Sequence, residues 1–377
     1  MLTFALLVNP VAGIGGAVGL KGSDGTELQG EARARGGRPR GRERAARALE
    51  AMGDAAGRVR WLTWGGDMGA TALADAHLPA TVEGAPGATP TAADTRAAAR
   101  ALRDAGADLL VFCGGDGTAR DLLAALGESL PVLGVPSGVK MHSGVFAATP
   151  ESAGDVLRAL VEGGLVRAAV AEVRDLDEAA LRGGEVRPRY YGEVAVPEIG
   201  GFLQRTKESG RENEALALEE IVAEVVERID AQPGIYVLGP GSSVAAVKVA
   251  LGMAPTLVGV DVLRRGEQVG RDVNAAWLEG LLADAGPEEP VVAVLSFTRH
   301  QGFLLGRGNQ QLSPAVLERI GRRGLWVIGT RSKLLTLDGR ALLVDTDDPA
   351  LDRRLAGLVE VITGYQDSLF YRVDVRP

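Results

Sequence analysis

Short apolar runs, each closed by a polar turn rich in glycine, recur along the chain. Residues 4–8, 59–63, 109–113 and 131–136 are such runs, and they predict strands buried on both faces. Between them the apolar spacing changes to that of helices. Over 42–52, Ala45, Ala46, Ala48, Leu49 and Met52 form one stripe, and 91–105 and 120–126 follow the same rule. A helix is expected from Pro150 to about 162, followed by an Arg- and Glu-rich stretch to about 210 with no assigned element. The second half predicts helices over 216–229 and 244–252, strands at 235–238, 256–260, 291–297 and 325–330, and a helix opened by Pro314 with Ser313 as its cap. Strands alternating with helices indicate an α/β protein built on parallel sheet, whose loops gather at the carboxyl ends of the strands. Two domains are expected, 1–149 and 150–377, with the last segment packing back on the first domain.

The turns carry the chemistry. Gly114-Gly115-Asp116-Gly117-Thr118 stands between an apolar strand and a helix start. Glycines there let a backbone approach a ligand, and the unpaired N–H groups of a helix start favour phosphate. A carboxylate beside phosphates needs a reason, such as a metal, a sugar hydroxyl or the proton of an attacking alcohol. The plain alternative is that Asp116 caps its helix. The turn after the first strand is long and glycine-rich, running from Asn9 through Gly13, Gly15 and Gly16 to Gly25. A third turn, Ser137 to Gly144, holds Lys140 and His142. In the second half, Gly239-Pro240-Gly241-Ser242 follows a strand and Asp261 ends the next expected strand. This partly matches a dinucleotide fingerprint, with Val244 at the third glycine position. The alternative is an ordinary strand–helix–strand unit with a tight turn.

Composition narrows the choice. Net charge is -8, which argues against nonspecific binding to nucleic acid or an anionic membrane. No apolar run is long enough to span a bilayer, and residues 2–8 lack the basic flank of a signal peptide, so a soluble, cytoplasmic protein is expected. Cys113 is the single cysteine; it excludes an intrachain disulfide and a cysteine-based zinc site, and its apolar setting makes it a core residue. The three histidines have no metal-ligand spacing, so no protein-held metal site is expected. There is no Walker A sequence and no protein-kinase signature set. Arginine dominates the cations, and the lysines are Lys21, Lys140, Lys207, Lys248 and Lys333. A lysine kept in so arginine-biased a chain marks a place where a compact ammonium matters.

The Gly114–Thr118 motif resembles that of the superfamily of NAD kinase, diacylglycerol kinase and 6-phosphofructokinase. Longer strings, Val8 to Gly16, Gly134 to Ser143 and Gly306 to Gln311, look like the ATP- or polyphosphate-dependent NAD kinases that include the acetoin-catabolism X proteins. The resemblance implies an NAD-kinase-like first domain that moves a phosphoryl group from ATP, with Mg²⁺, to the 2′-hydroxyl of the NAD adenosine ribose, giving NADP. In that picture Asp116 orients or deprotonates the acceptor hydroxyl. Gly114, Gly115, Gly117 and Thr118 cradle phosphates, Asn9, Gly13, Gly15 and Gly16 border the same cleft, and Lys140 contacts phosphate. Gly239, Gly241, Ser242, Asp261 and Lys333 are secondary nucleotide-site candidates. The resemblance also implies self-association. Better-known NAD kinases have a β-rich second domain, whereas 235–261 reads here as strand, helix, strand. The rival readings are a kinase for another small alcohol, a nucleotide-sensing module without turnover, and a dehydrogenase.

Overall fold

The computed structural model describes residues 1–14, 30, 33–137, 141–176, 188–199 and 214–375. Gly15, Gly16 and Lys140 lie outside them. The chain divides into two compact units. The first comprises residues 1–162 and 169–198, and the second comprises 163–168 and 199–377. Among the described residues no helix is long and apolar enough to cross a membrane.

The first unit is built on a five-stranded sheet in the order β3-β2-β1-β4-β5: β1 (Thr3–Val8), β2 (Arg60–Thr63), β3 (Ala80–Val82), β4 (Leu109–Gly114) and β5 (Val132–Pro136). Every pairing is parallel. Strands β1, β4 and β5 are buried along their whole length, which is why they read as unbroken apolar runs. Ala5 and Leu7 of β1 and Leu110 and Phe112 of β4 pack under Ala98 and Leu102 of α3 (Ala92–Asp104) and Leu122 of α4 (Asp116–Leu126). Helices α1 (Gly41–Met52) and α5 (Pro150–Glu162) pack together in the same unit. A side chain at Gly154 would strike the Ala48 carbonyl at 2.3 Å, so glycine there permits the close approach. Helix α5 thus belongs to the first unit, beyond the boundary expected at 149/150.

Two strands were not expected at all: β6 (Val166–Leu176) and β7 (Pro188–Glu198). Ala171, Val173, Val194 and Val196 face the core while Glu172 and Glu193 face water. One-sided burial gives an alternating pattern, and its many Arg and Glu residues disguise it as polar surface.

In the second unit, β8 (Ile235–Leu238), β11 (Val291–Ser296), β12 (Leu325–Ile328) and β14 (Gly357–Gly364) are parallel neighbours in that order. Strand β9 (Asp261–Arg264) runs antiparallel to β8, and β15 (Asp367–Val375) antiparallel to β14. The last segment therefore pairs within the second unit. One face of the sheet carries α6 (Glu214–Ala231) and α7 (Ser242–Ala250), and the other carries α8 (Ala275–Asp284) and α9 (Pro314–Ile320).

The strand expected at 256–260 is absent from the structure. Leu257 and Val258 are 60% and 78% exposed in a loop, and the strand begins at Asp261 instead. Because β9 is antiparallel to β8, the unit 235–261 is not the parallel β-α-β of a dinucleotide fingerprint.

Candidate functional site

In the first unit, the strand order places β1 beside β4, with the sequence continuing outward to both sides. That is the switch point of an open parallel sheet, where the loops leaving adjacent strands separate and a ligand can enter. The loops after β1, β4 and β5 meet there.

The β1 loop is tied down by its own first residue. The Asn9 side chain accepts from the Val11 N–H at 3.1 Å and donates through Nδ2 to Thr118 Oγ1 at 3.0 Å. Gly13 has φ +77°, and a Cβ there would lie 2.5 Å from the Ser137 carbonyl oxygen. A glycine is required for both reasons. Helix α1 starts against this loop: the Arg40 N–H donates to the Ala12 carbonyl at 2.8 Å.

The β4 loop is short. Gly115 is the N-cap of α4, and Asp116, Gly117 and Thr118 form its first turn. None of Gly114, Gly115 and Gly117 has positive φ. Gly114 is needed for packing instead, since a Cβ would sit 2.5 Å from Thr118 Oγ1. No side chain caps the helix, so Asp116 does not play that part.

The Asp116 carboxylate reaches across to the third loop. Oδ2 accepts from the His142 N–H at 2.7 Å, and Oδ1 from the Ser143 N–H at 3.0 Å. The residue is buried. The loop is anchored behind by Ser143, whose hydroxyl donates to the Arg174 carbonyl at 2.7 Å. An ionised carboxylate offers about four lone-pair positions, so acceptor capacity remains on Asp116. Nearby carboxylates are neutralised: Asp121 by Arg96 at 2.6 Å and Asp175 by Arg120 at 2.7 Å. The His142 Nε2 atom is buried without a hydrogen-bond partner among the described residues.

Asn9, Gly13, Gly114, Gly115, Asp116, Gly117 and Thr118 thus gather at one place. The backbone donors of His142 and Ser143 went unforeseen, because a backbone N–H leaves no mark in residue identity. Gly239, Gly241, Ser242, Asp261 and Lys333 lie in the second unit. Gly239 directly follows β8, with its N–H on the Val294 carbonyl at 3.0 Å. Gly241, at φ +112°, is the N-cap of α7, whose first residue is Ser242. Lys333 lies in the short helix α10 (Arg331–Leu335).

Asp261 requires a correction. Its carboxylate is fully enclosed and paired with Lys248 Nζ at 2.9 Å. It also accepts from Thr256 N–H and Oγ1 and from Asp272 N–H at 2.8–2.9 Å. Enclosed within the protein and engaged by these internal partners, it is not open to a ribose. Burial acts to raise its pKa, but Lys248 and the donated hydrogen bonds outweigh that and hold it low. Cys113 is also buried, and burial pushes its thiol pKa up, away from nucleophile behaviour.

A family model for the ATP-NAD kinase N-terminal domain matches residues 40–165, and one for the ATP-NAD kinase C-terminal domain matches residues 234–373. No curated protein matches the chain.

Proposed function

The chain belongs to the ATP-NAD kinase family, whose members are phosphotransferases, and on that premise we propose that it phosphorylates the 2′-hydroxyl of the NAD adenosine ribose from ATP or polyphosphate, giving NADP. The observation that carries this reading is the position of Asp116. It is a buried carboxylate at the meeting point of three loops, braced by two N–H groups and with lone pairs to spare. The acceptor oxygen attacks the terminal phosphorus, the bond to the leaving phosphate breaks, and Asp116 takes or directs the hydroxyl proton. The uncapped start of α4 turns its N–H groups toward the phosphates. Asn9 and Gly13 shape the neighbouring wall.

Mg²⁺ neutralises charge on the transferring phosphates in such a reaction. Among the described residues no three His, Cys, Asp or Glu side chains gather at one point. Such an ion would arrive on the phosphates, and Asp116 is the carboxylate at the loops' meeting point that would face it.

The test is to incubate the protein with ATP, Mg²⁺ and NAD and measure NADP with an NADP-specific dehydrogenase. NADP formed by the wild type and lost in Asp116→Asn is expected. Absence of NADP with ATP still bound would overturn NAD as acceptor.

A further inference from the structure

The sheet of the second unit ends on an open edge. Its last strand is β10 (Glu267–Gly270), joined to β9 by Arg265 and Gly266, both at positive φ, +53° and +78°. Two such residues make the tight turn whose twist suits an antiparallel hairpin. Strand β9 pairs with one side of β10. Among the described residues no strand pairs with the other side. Unpaired N–H and C=O groups along an edge are a template for another strand.

Edges are commonly blunted by lysine or proline, and Glu267-Gln268-Val269-Gly270-Arg271 contains neither. The hairpin register passes from Gln268 opposite Leu263 to Gly270 opposite Val262. Val269 is therefore left over as a bulge without a partner in β9, and it is 41% exposed. The bulge shortens the run available for backbone pairing, so a contact here also needs side chains. The neighbours supply them. A Cβ on Gly270 would lie 2.7 Å from the Trp277 indole, so the glycine admits a ring that is itself 38% exposed. A Cβ on Gly259 would strike the Asp272 carboxylate, so the loop carrying the exposed Val258 lies against the residue after Arg271. Single exposed apolar residues are ordinary, but three beside an open strand edge mark a contact surface.

The charges indicate what covers it. Glu267 and Arg271 are exposed, and among the described residues neither has an ion pair. One stands two residues before Val269 and the other two residues after it. When two copies of the segment lie antiparallel about Val269, Glu267 of each copy meets the partner's Arg271, and symmetry forms the pair twice. Parallel alignment of the same segments would set like charges together.

We propose that β10 is the contact edge between two copies of this chain, joined antiparallel about a twofold axis at Val269, with Val258 and Trp277 flanking the seam. This contact is independent of the phosphoryl transfer assigned to Asp116.

Charge exchange tests it on the intact protein by sedimentation velocity. The wild type should dimerise. Glu267→Arg sets arginine against arginine at both ends of the seam, and Arg271→Glu sets glutamate against glutamate. Each variant alone should dimerise at least about tenfold more weakly. Mixing the two variants puts opposite charges back across the seam, so the mixture should dimerise as the wild type does, which misfolded variants could not do. A monomeric wild type overturns the proposal. Single variants that dimerise like the wild type overturn β10 as the contact, and a mixture no better than its components overturns the antiparallel register.

Discussion

Lys248 Nζ lies 2.9 Å from Asp261 Oδ2, and neither side chain reaches solvent. The remaining ammonium protons go to the carbonyls of Thr256 and Gly259, each at 3.1 Å. The pair therefore pins the loop between α7 and β9. That loop in turn offers the Leu257 carbonyl to the Gly241 N–H at 2.8 Å. Lys248→Met leaves Asp261 charged and enclosed, with an expected loss of about 3–5 kcal/mol in urea unfolding. The double variant Lys248→Met/Asp261→Leu should recover part of that loss. A single variant as stable as wild type would mean the loop holds itself.

Asp116→Asn should lower NADP formation at least about a hundredfold. The change also puts an amide NH₂ against one of two N–H donors, His142 or Ser143, so the loop should loosen by about 1–3 kcal/mol. Amide exchange at His142 and Ser143 reads the loosening, and the rate reads the chemistry. Faster exchange with full turnover would leave Asp116 as a brace only.

Gly13→Ala tests the first loop. The new methyl meets the Ser137 carbonyl at 2.5 Å in a backbone conformation that alanine resists. A stability loss of about 1 kcal/mol or more is expected, with a higher KM for ATP. An unchanged KM would place the donor phosphates away from this loop.

Lys333 gives a signed pH dependence. Its folded pKa of about 8 lies below the ordinary 10.5. Between those values the unfolded chain holds more protons, so stability rises with pH across that window. The cost of the buried ammonium is fully present below pH 8. Lys333→Met should therefore raise stability at pH 7, and the gain should vanish near pH 11. A destabilised variant at pH 7 would instead make Lys333 a packing residue.

The Cys113 thiol, wholly buried with its pKa raised, should resist iodoacetamide until the protein is unfolded in urea. Labelling of the native protein would show that β4 opens readily.

The sequence by itself determined the doubly buried strands β1, β4 and β5, because a strand covered on both faces must be apolar at every position. It also placed the Gly114–Thr118 turn at a strand end and a helix start, where local chain geometry needs only neighbouring residues. It named Asp116, since a carboxylate within a glycine turn is conspicuous in one dimension. Tertiary structure decided the rest. The apolar run 256–260 became an exposed loop because Lys248 and Asp261 pair across it and draw the strand start to Asp261. Residues 166–176 and 188–198 became strands because the core cluster beneath α4 needed one covering face. The partners of Asp116 and Lys333 come from other loops: His142 from the turn after β5, Ser296 from the end of β11. Hydrogen bonds and ion pairs between distant residues obey distance in space, and periodicity along the chain carries no record of them.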